Sequence, residues 1–451
     1  MFTYGREIVM KKSLSLKESI LVGSMLFGMF FGAGNLIFPV HMGQLAGTNV
    51  WPAAIGFIVT GVGLPILGVA CLGISKKDSL FELSGLVGDR FKYFFTILLY
   101  LTIGPFFAIP RCAATSFTTG IVPLLNNSAP EIPRLIFTFI FFALALFFAL
   151  KPSEILKYIG KFINPLFLIF LFMLIIVSFI KPMGAVNNIV PHESYQTTPF
   201  FNGFLEGYNT MDAIASLAFG ITVITVIRNL GITSETSVAI NTIKAGIIGC
   251  TLMAIIYALT TYIGATSRNL FETAHNGGIT LTQISNHYFG SFGIYLLLIV
   301  ITLACFKTAL ALIVSCSEMF STIFPKFLSE KQWAIIFTVF SFVVSNFGLN
   351  AIIEYAIPVL MFLYPIAISI IVLALFGKLF NYNKRVFSIT ISFAFAFAIL
   401  DFINAFPKNS IMPTNVINTV NAILSSLPLS NIGLAWVIPT LIGFLISLVF
   451  M

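Results

Sequence analysis

The sequence predicts an all-α polytopic membrane protein of twelve transmembrane helices, and three observations carry that prediction. Of its 451 residues, 58% are hydrophobic and only 9% charged, against roughly 25% charged in a typical soluble domain. A window of about 19 residues finds twelve apolar segments. The basic residues also sort by side. With the N-terminus inside, eighteen of the 24 Lys and Arg fall on the inner side. Four (Arg134, Lys181, Arg268 and Lys408) fall on the outer side, and Arg111 and Lys307 lie within spans. This is the positive-inside pattern, so the net charge of +8 reads as topology and not as a nucleic-acid footprint. Both termini are then cytoplasmic.

The first segment, 17–41, follows a basic N-terminus (Arg6, Lys11, Lys12, Lys17) with no small-residue cleavage pattern. It is read as the first helix of the mature protein and not as a signal peptide. Segments 51–74, 91–121, 133–150 and 154–180 follow, then 201–228, 238–265, 289–323, 332–349 and 351–377, and last 386–406 and 433–451. The third and eighth exceed the roughly 20 residues that a crossing needs, which implies tilt or protrusion. The longest stretches between spans, near 181–200, 266–288 and 407–432, are too short for a catalytic domain. One integral membrane unit, 1–451, is expected. Five cysteines (Cys71, Cys112, Cys250, Cys305, Cys316), all in apolar segments and without a CxxC pair, read as small buried hydrophobes.

Parity suggests how the spans are arranged. The first helix starts inside and the sixth outside, so two five-helix repeats, 17–180 and 201–377, must be inverted relative to each other, with 386–451 appended. Corresponding Gly- or Pro-interrupted segments in two such halves point to a transport site. The first helix carries "FFGAGNLIFP" (30–39) and the sixth "NGFLEGYNTMDAIASLAFG" (202–220). Irregular backbone at membrane depth must line an enclosed or watery cavity. The outer half of helix one would present free amides near Gly34 and Asn35, suited to a carboxylate. Its inner half would present free carbonyls between Gly28 and Gly32, suited to a cation or ammonium group. Helix six would add Tyr208, Asn209 and Thr210, with Asn209 as a cap and Asp212 in the first turn. Two plainer readings stand beside this one: glycines that only permit close packing, and Asp212 as only a capping residue.

These motifs, with "GQLAGTNVWPAAIGF", "GVGLPILG", "GPFFAIPR" (104–111), "GYNTMD" (207–212), "LAFG" (217–220) and "VSNFGL" (344–349), resemble the bacterial branched-chain amino acid:cation symporter family of the BrnQ type. The likeness extends over essentially the whole chain. It implies a LeuT-like five-plus-five inverted repeat with broken helices one and six, in a bacterial cell membrane. The activity implied is import of Leu, Ile and Val with Na+ or H+. The resemblance places the substrate at Gly32, Ala33, Gly34, Asn35, Tyr208, Asn209 and Thr210. It places a coupling cation, with Na+ the candidate ion, at Gly28, Phe31, Ala304 and Thr308. The implied partners are a small zwitterionic amino acid and membrane lipid. Neither nucleic acid nor an obligatory protein partner is indicated, and no cofactor.

The chain departs from the family pattern in two places. Lys307 stands beside Thr308 where an uncharged residue is usual, and Thr118 follows "SF" where relatives often carry a glutamate. A mid-span lysine is costly and should face the interior. Either its ammonium takes the place of the sodium ion, leaving uptake proton-linked or uncoupled, or it pairs or snorkels and leaves coupling unchanged. Arg111, beside Pro110, is read as pairing structurally or touching substrate. A membrane-embedded enzyme is disfavoured because His41, His192, His275 and His287 are widely separated and no paired-carboxylate spacing occurs. A channel would want a continuous polar pore, whereas polar residues gather at two interruptions.

Overall fold

Ser15 fixes where the first helix begins. Its hydroxyl accepts from the Glu18 amide while the Glu18 carboxylate accepts from the Ser15 amide at 2.8 Å, a reciprocal capping box. In the computed structural model, which describes residues 12–32, 34–77, 79–125, 130–151, 155–407 and 413–451, this cap opens α1 (Leu16–Phe30). Of the residues used in the sequence reading, Arg6, Lys11, Ala33 and Lys408 lie outside the described residues.

Every regular element among the described residues is helical. After α1 come α2 (Gly34–Ala46), α3 (Val50–Ile58) and α4 (Leu64–Ser75), nearly continuous through a 3-10 turn at Gly47–Asn49 and a π-helical turn at Val59–Gly63. Then follow α5 (Leu80–Ser84), α6 (Asp89–Leu101), α7 (Ala108–Ser116), α8 (Glu131–Ala149) and α9 (Ile155–Ile180). Two short helices, α10 (Glu193–Thr197) and α11 (Pro199–Glu206), lead through a 3-10 turn at Gly207–Thr210 to α12 (Asp212–Asn229). The rest are α13 (Glu235–Ser267), α14 (Gly277–Ile323), α15 (Glu330–Ser345), α16 (Leu349–Phe376), α17 (Lys384–Asn404), α18 (Thr414–Ser425) and α19 (Val437–Val449).

Seven helices among the described residues are long and apolar enough to cross a membrane. The structure departs from the expected segments in three ways. The eighth segment joins the stretch before it as the 47-residue α14, kinked at Gly290, whose φ of +57° only glycine adopts readily. The third segment is bent where Gly104 leaves helical geometry ahead of Pro105, because proline has no amide to continue the ladder. The stretch 407–432, read as loop, contains α18.

The site is positioned by α13, along which α1 and α2 both pack, while α3 packs on α11, α4 on α12 and α7 on α14. The α3–α11 crossing is possible because Gly56 and Gly203 lack side chains: a Cβ at Gly203 would overlap the Ala53 backbone carbonyl, and one at Gly56 the Phe200 carbonyl. Small residues let membrane helices approach this closely. Gly203→Val is therefore expected to destabilise the protein by about 1–3 kcal/mol, which a lowered thermal midpoint in detergent would register. All five cysteines are buried and free.

Candidate functional site

At Phe31 the chain leaves α1 with an extended backbone (φ −75°, ψ 102°), although its amide still reaches the Phe27 carbonyl at 2.8 Å. The next amide would be an orphan at the head of α2. Asn35 supplies the partner, its Oδ1 accepting from the Gly32 N–H at 2.8 Å. The other end of the same side chain donates to the Asp212 carboxylate at 2.5 Å and to the Tyr257 hydroxyl. The Tyr257 hydroxyl in turn lies 3.4 Å from that carboxylate. Asn35, Asp212 and Tyr257 are all buried, so one amide ties α2, α12 and α13 together.

The second interruption is built differently. Met211 sits in the left-handed region at φ 65° between the turn Gly207–Thr210 and α12, a conformation that costs a non-glycine residue about 1–2 kcal/mol. The N-cap position of α12 falls on Met211 and not on Asn209, and the Met211 side chain makes no cap bond. The Thr210 hydroxyl accepts from the Asp212 amide at 3.3 Å and donates to the Gly207 carbonyl at 2.9 Å, because the left-handed step at Met211 turns the Asp212 amide back toward it. Arg111 of α7 covers the other loose ends. Its guanidinium donates to the Asn209 carbonyl at 2.6 Å and the Thr210 carbonyl at 3.4 Å, and lies over the Phe38 ring at 5.1 Å. Buried carbonyls without partners are costly, and these two receive a charged donor.

The two interruptions face one cavity. Gly32, Gly34, Asn35, Arg111, Thr210, Asp212 and Thr308 contribute its polar edge, and Phe30, Ile103, Phe219 and Leu312 are among its apolar walls. Tyr208 and Asn209 are not on it. They line a separate cavity on the side of Leu45, Tyr195 and Leu360, and the Tyr208 ring stacks on Tyr364 at 3.9 Å. The reason is the turn itself: at three residues per turn, side chains 208 and 209 point away from 210.

The positions weighed for a cation also meet. The Lys307 ammonium donates to the Gly28 carbonyl at 2.8 Å. The Thr308 hydroxyl donates to the Ala304 carbonyl at 3.1 Å and lies against Gly32. Phe31 instead turns its ring onto Phe27 and Tyr257. Thr118 stands apart from this cavity, near Arg134, Asn276 and Asn350. Sequence reasoning missed Tyr257, Cys112 and Thr115. Cys112 and Thr115 line the cavity. The available signal for Tyr257 was a mid-span tyrosine, the first of two in "IIYALTTY", and only the fold shows that it faces Asn35.

A family model described as "Branched-chain amino acid transport protein" matches residues 15–451. The branched-chain amino acid permease BrnQ of Lactobacillus delbrueckii subsp. lactis is 47% identical over 438 residues, 97% of each chain. The permease BraB of Bacillus subtilis (strain 168) is 40% identical over 440 residues, 98% of this chain and 97% of that one. Among solved structures, the nucleobase-cation-symport-1 family transporter Mhp1 aligns with a TM-score of 0.58 at 13% identity, over 95% of this chain and 91% of that one. A manganese transporter of Eremococcus coleocola aligns at 0.60 with 14% identity, over 99% of both chains. At such low identity these last two speak to the fold alone, and they place the chain among transporter folds.

Proposed function

The chain belongs to the branched-chain amino acid transport protein family, and from that premise we propose that it is a secondary active transporter importing Leu, Ile and Val with a coupling cation by alternating access. The proposed frame has twelve spans, with helix one interrupted between Phe30 and Gly34 and helix six at 207–211. Its repeats, 17–180 and 201–377, are inverted, its last pair is 386–451, and both termini lie on the cytoplasmic side of a bacterial cell membrane. Substrate binds between the interruptions while one helix bundle rocks against the rest.

The observation that carries this reading is the convergence of Asn35, Arg111 and Asp212 on one cavity with apolar walls. A zwitterion needs a positive and a negative pole a few ångströms apart. The amides at Gly34 and Asn35 with the Arg111 guanidinium suit a carboxylate. The carbonyls at the end of α1, the Asp212 carboxylate and the Thr210 hydroxyl suit an ammonium group. Phe30, Ile103, Phe219 and Leu312 give the cavity apolar walls of the kind a branched side chain packs against. Such a pocket separates Leu, Ile and Val by only about 1–3 kcal/mol per methylene. Support for the substrate comes from the names of the relatives.

Leucine uptake into proteoliposomes tests the proposal. Accumulation driven by an inward Na+ or H+ gradient, and competed by Ile and Val, is the expected result. Equilibration alone under both gradients would sink coupled transport.

A second reading concerns the ion. The Lys307 ammonium on the Gly28 carbonyl has the charge and the ligand that a bound Na+ would use, next to Thr308. In this reading the tethered ammonium replaces sodium, and uptake is proton-linked or uncoupled. Wild-type uptake is then indifferent to Na+, and Lys307→Thr gains Na+ dependence. Sodium-driven uptake by the wild type returns the chain to ordinary sodium symport.

A further inference from the structure

Both α16 and α19 pack along α17, and between them they leave a groove of about 690 Å³ with the buried Thr390 of α17 among its lining. Val372, Phe376 and Leu379 stand on the α16 side, and Trp436, Phe444 and Leu448 on the α19 side. Two further hydroxyls on it are satisfied within their own helices. Ser369 donates to the Pro365 carbonyl and Thr440 to the Trp436 carbonyl, both at 2.7 Å. No charged residue lines the groove, so the surface it offers is apolar. Its lining runs over 368–380 and 436–448, about 18 Å at roughly 1.5 Å per residue. That is close to the depth of one leaflet, half of a hydrocarbon core of about 30 Å.

One end of the groove is basic. Lys378 lies in the 3-10 turn Gly377–Phe380, whose Leu379 and Phe380 line the groove, and Lys384 and Arg385 open α17. All three are exposed. The Arg385 guanidinium donates to the Phe450 carbonyl at 3.4 Å, which sets it at the end of α19, two residues beyond Leu448. That bond uses one of the five N–H donors of an arginine. Asp89, at the head of α6, acts electrostatically on Lys384 but is paired with Lys92 at 2.9 Å. Among the described residues no acid pairs with Lys378 or Arg385. An apolar groove one leaflet deep, ending in exposed cations, matches a lipid with an anionic head: the acyl chain lies along the groove and the phosphate meets the basic end. Basic pockets at cytoplasmic helix ends take such headgroups, and a guanidinium fork suits a phosphate. A zwitterionic head would bring its own cation against Lys378 and Arg385.

We propose that the groove between α16 and α19 is a binding site for an anionic phospholipid of the inner leaflet, with Lys378 and Arg385 holding its phosphate. The proposal rests on the topology of the carrier reading, in which this end is cytoplasmic, and not on the substrate or the coupling ion. Farther along, the same α16 carries Tyr364, whose ring stacks on Tyr208 of the turn Gly207–Thr210. A lipid seated here therefore rests on a helix that also braces the second interruption.

Trp436 reports on the groove from its own lining. The full chain, with its other two tryptophans replaced (Trp51→Phe, Trp333→Phe), is reconstituted into vesicles of unbrominated phosphatidylcholine. Into these is titrated either phosphatidylglycerol or phosphatidylcholine, each with brominated acyl chains that quench a tryptophan they touch. Brominated phosphatidylglycerol is expected to quench Trp436 at about tenfold lower mole fraction than brominated phosphatidylcholine, and Lys378→Gln with Arg385→Gln to abolish that preference. Equal quenching by the two lipids overturns the anionic site, as does a preference unchanged in the double variant. Quenching by neither lipid gives the groove another occupant, such as a second copy of the chain, and overturns the site too. Should the double variant not fold, salt replaces it: at about 1 M KCl, where the Debye length is about 3 Å, the preference should fall severalfold, and a preference indifferent to salt overturns the site. The measurement needs no transport. A chain that carries no leucine defeats the carrier reading and leaves the lipid result standing or falling by itself.

Discussion

Asn35→Ala is expected to reduce leucine uptake by a hundredfold or more and to lower the thermal midpoint of the purified protein. Alanine removes three interactions at once: acceptance from the Gly32 amide, donation to Asp212 and donation to Tyr257. A neutral hydrogen bond contributes about 1 kcal/mol and one to a charged group about 1.5–3 kcal/mol. The Asp212 carboxylate would also be left buried without its amide donor, which is the costlier part of the change. At about 1.4 kcal/mol per decade, losing roughly 3 kcal/mol at the cavity accounts for the expected factor. Asn35→Asp separates geometry from charge. It keeps the acceptor for Gly32 but sets a second carboxylate against Asp212, and like charges in a buried site repel. Uptake should therefore be lost as fully as with alanine. Near-normal transport by either variant would remove Asn35 from the site.

Arg111→Gln should be nearly as severe. The guanidinium holds the carbonyls of Asn209 and Thr210 and lines the cavity beside Gly34. Two charge-assisted bonds at about 1.5–3 kcal/mol each predict a loss of at least two orders of magnitude in initial uptake rate. Arg111→Lys keeps the charge but offers a point donor in place of a planar fork, so it should span only one of the two carbonyls and recover part of the rate. If Arg111 serves the turn alone, both variants lose thermal stability and transport in proportion. If it also meets the substrate carboxylate, Arg111→Lys folds normally and raises the leucine KM. Chromatographic monodispersity and a melting curve beside the uptake assay distinguish the two.

Much of the frame was legible because the bilayer makes it so. A chain with 58% hydrophobic and 9% charged residues has few ways to fold in a bilayer, since every span must satisfy its own backbone. The interruptions were legible for the same reason. "GAG" followed by Asn35, and "GYNTMD" ending in Asp212, are residue types that a plain membrane helix avoids. The contact of Lys307 with Gly28 was also within reach, because the family likeness named Gly28 and Thr308 and the mid-span lysine stood out beside Thr308 as a departure from it.

Other features depended on directions that a one-dimensional pattern does not carry. Tyr208, Asn209 and Thr210 are neighbours in sequence, yet a turn with three residues per rotation sends Thr210 to the central cavity and the other two to a separate one. The sequence did not show which groups Arg111 meets, and only the fold sets its guanidinium on the 209 and 210 carbonyls. Tyr257 carried no motif at all, and its hydroxyl matters only because α13 packs along α2. By itself the sequence determined a helical membrane protein with two polar interruptions, because lipid penalises every unpaired polar group. Which polar groups share a cavity was decided by the tertiary structure alone, because that depends on helix rotation and close packing, which residues far apart in the chain impose on one another.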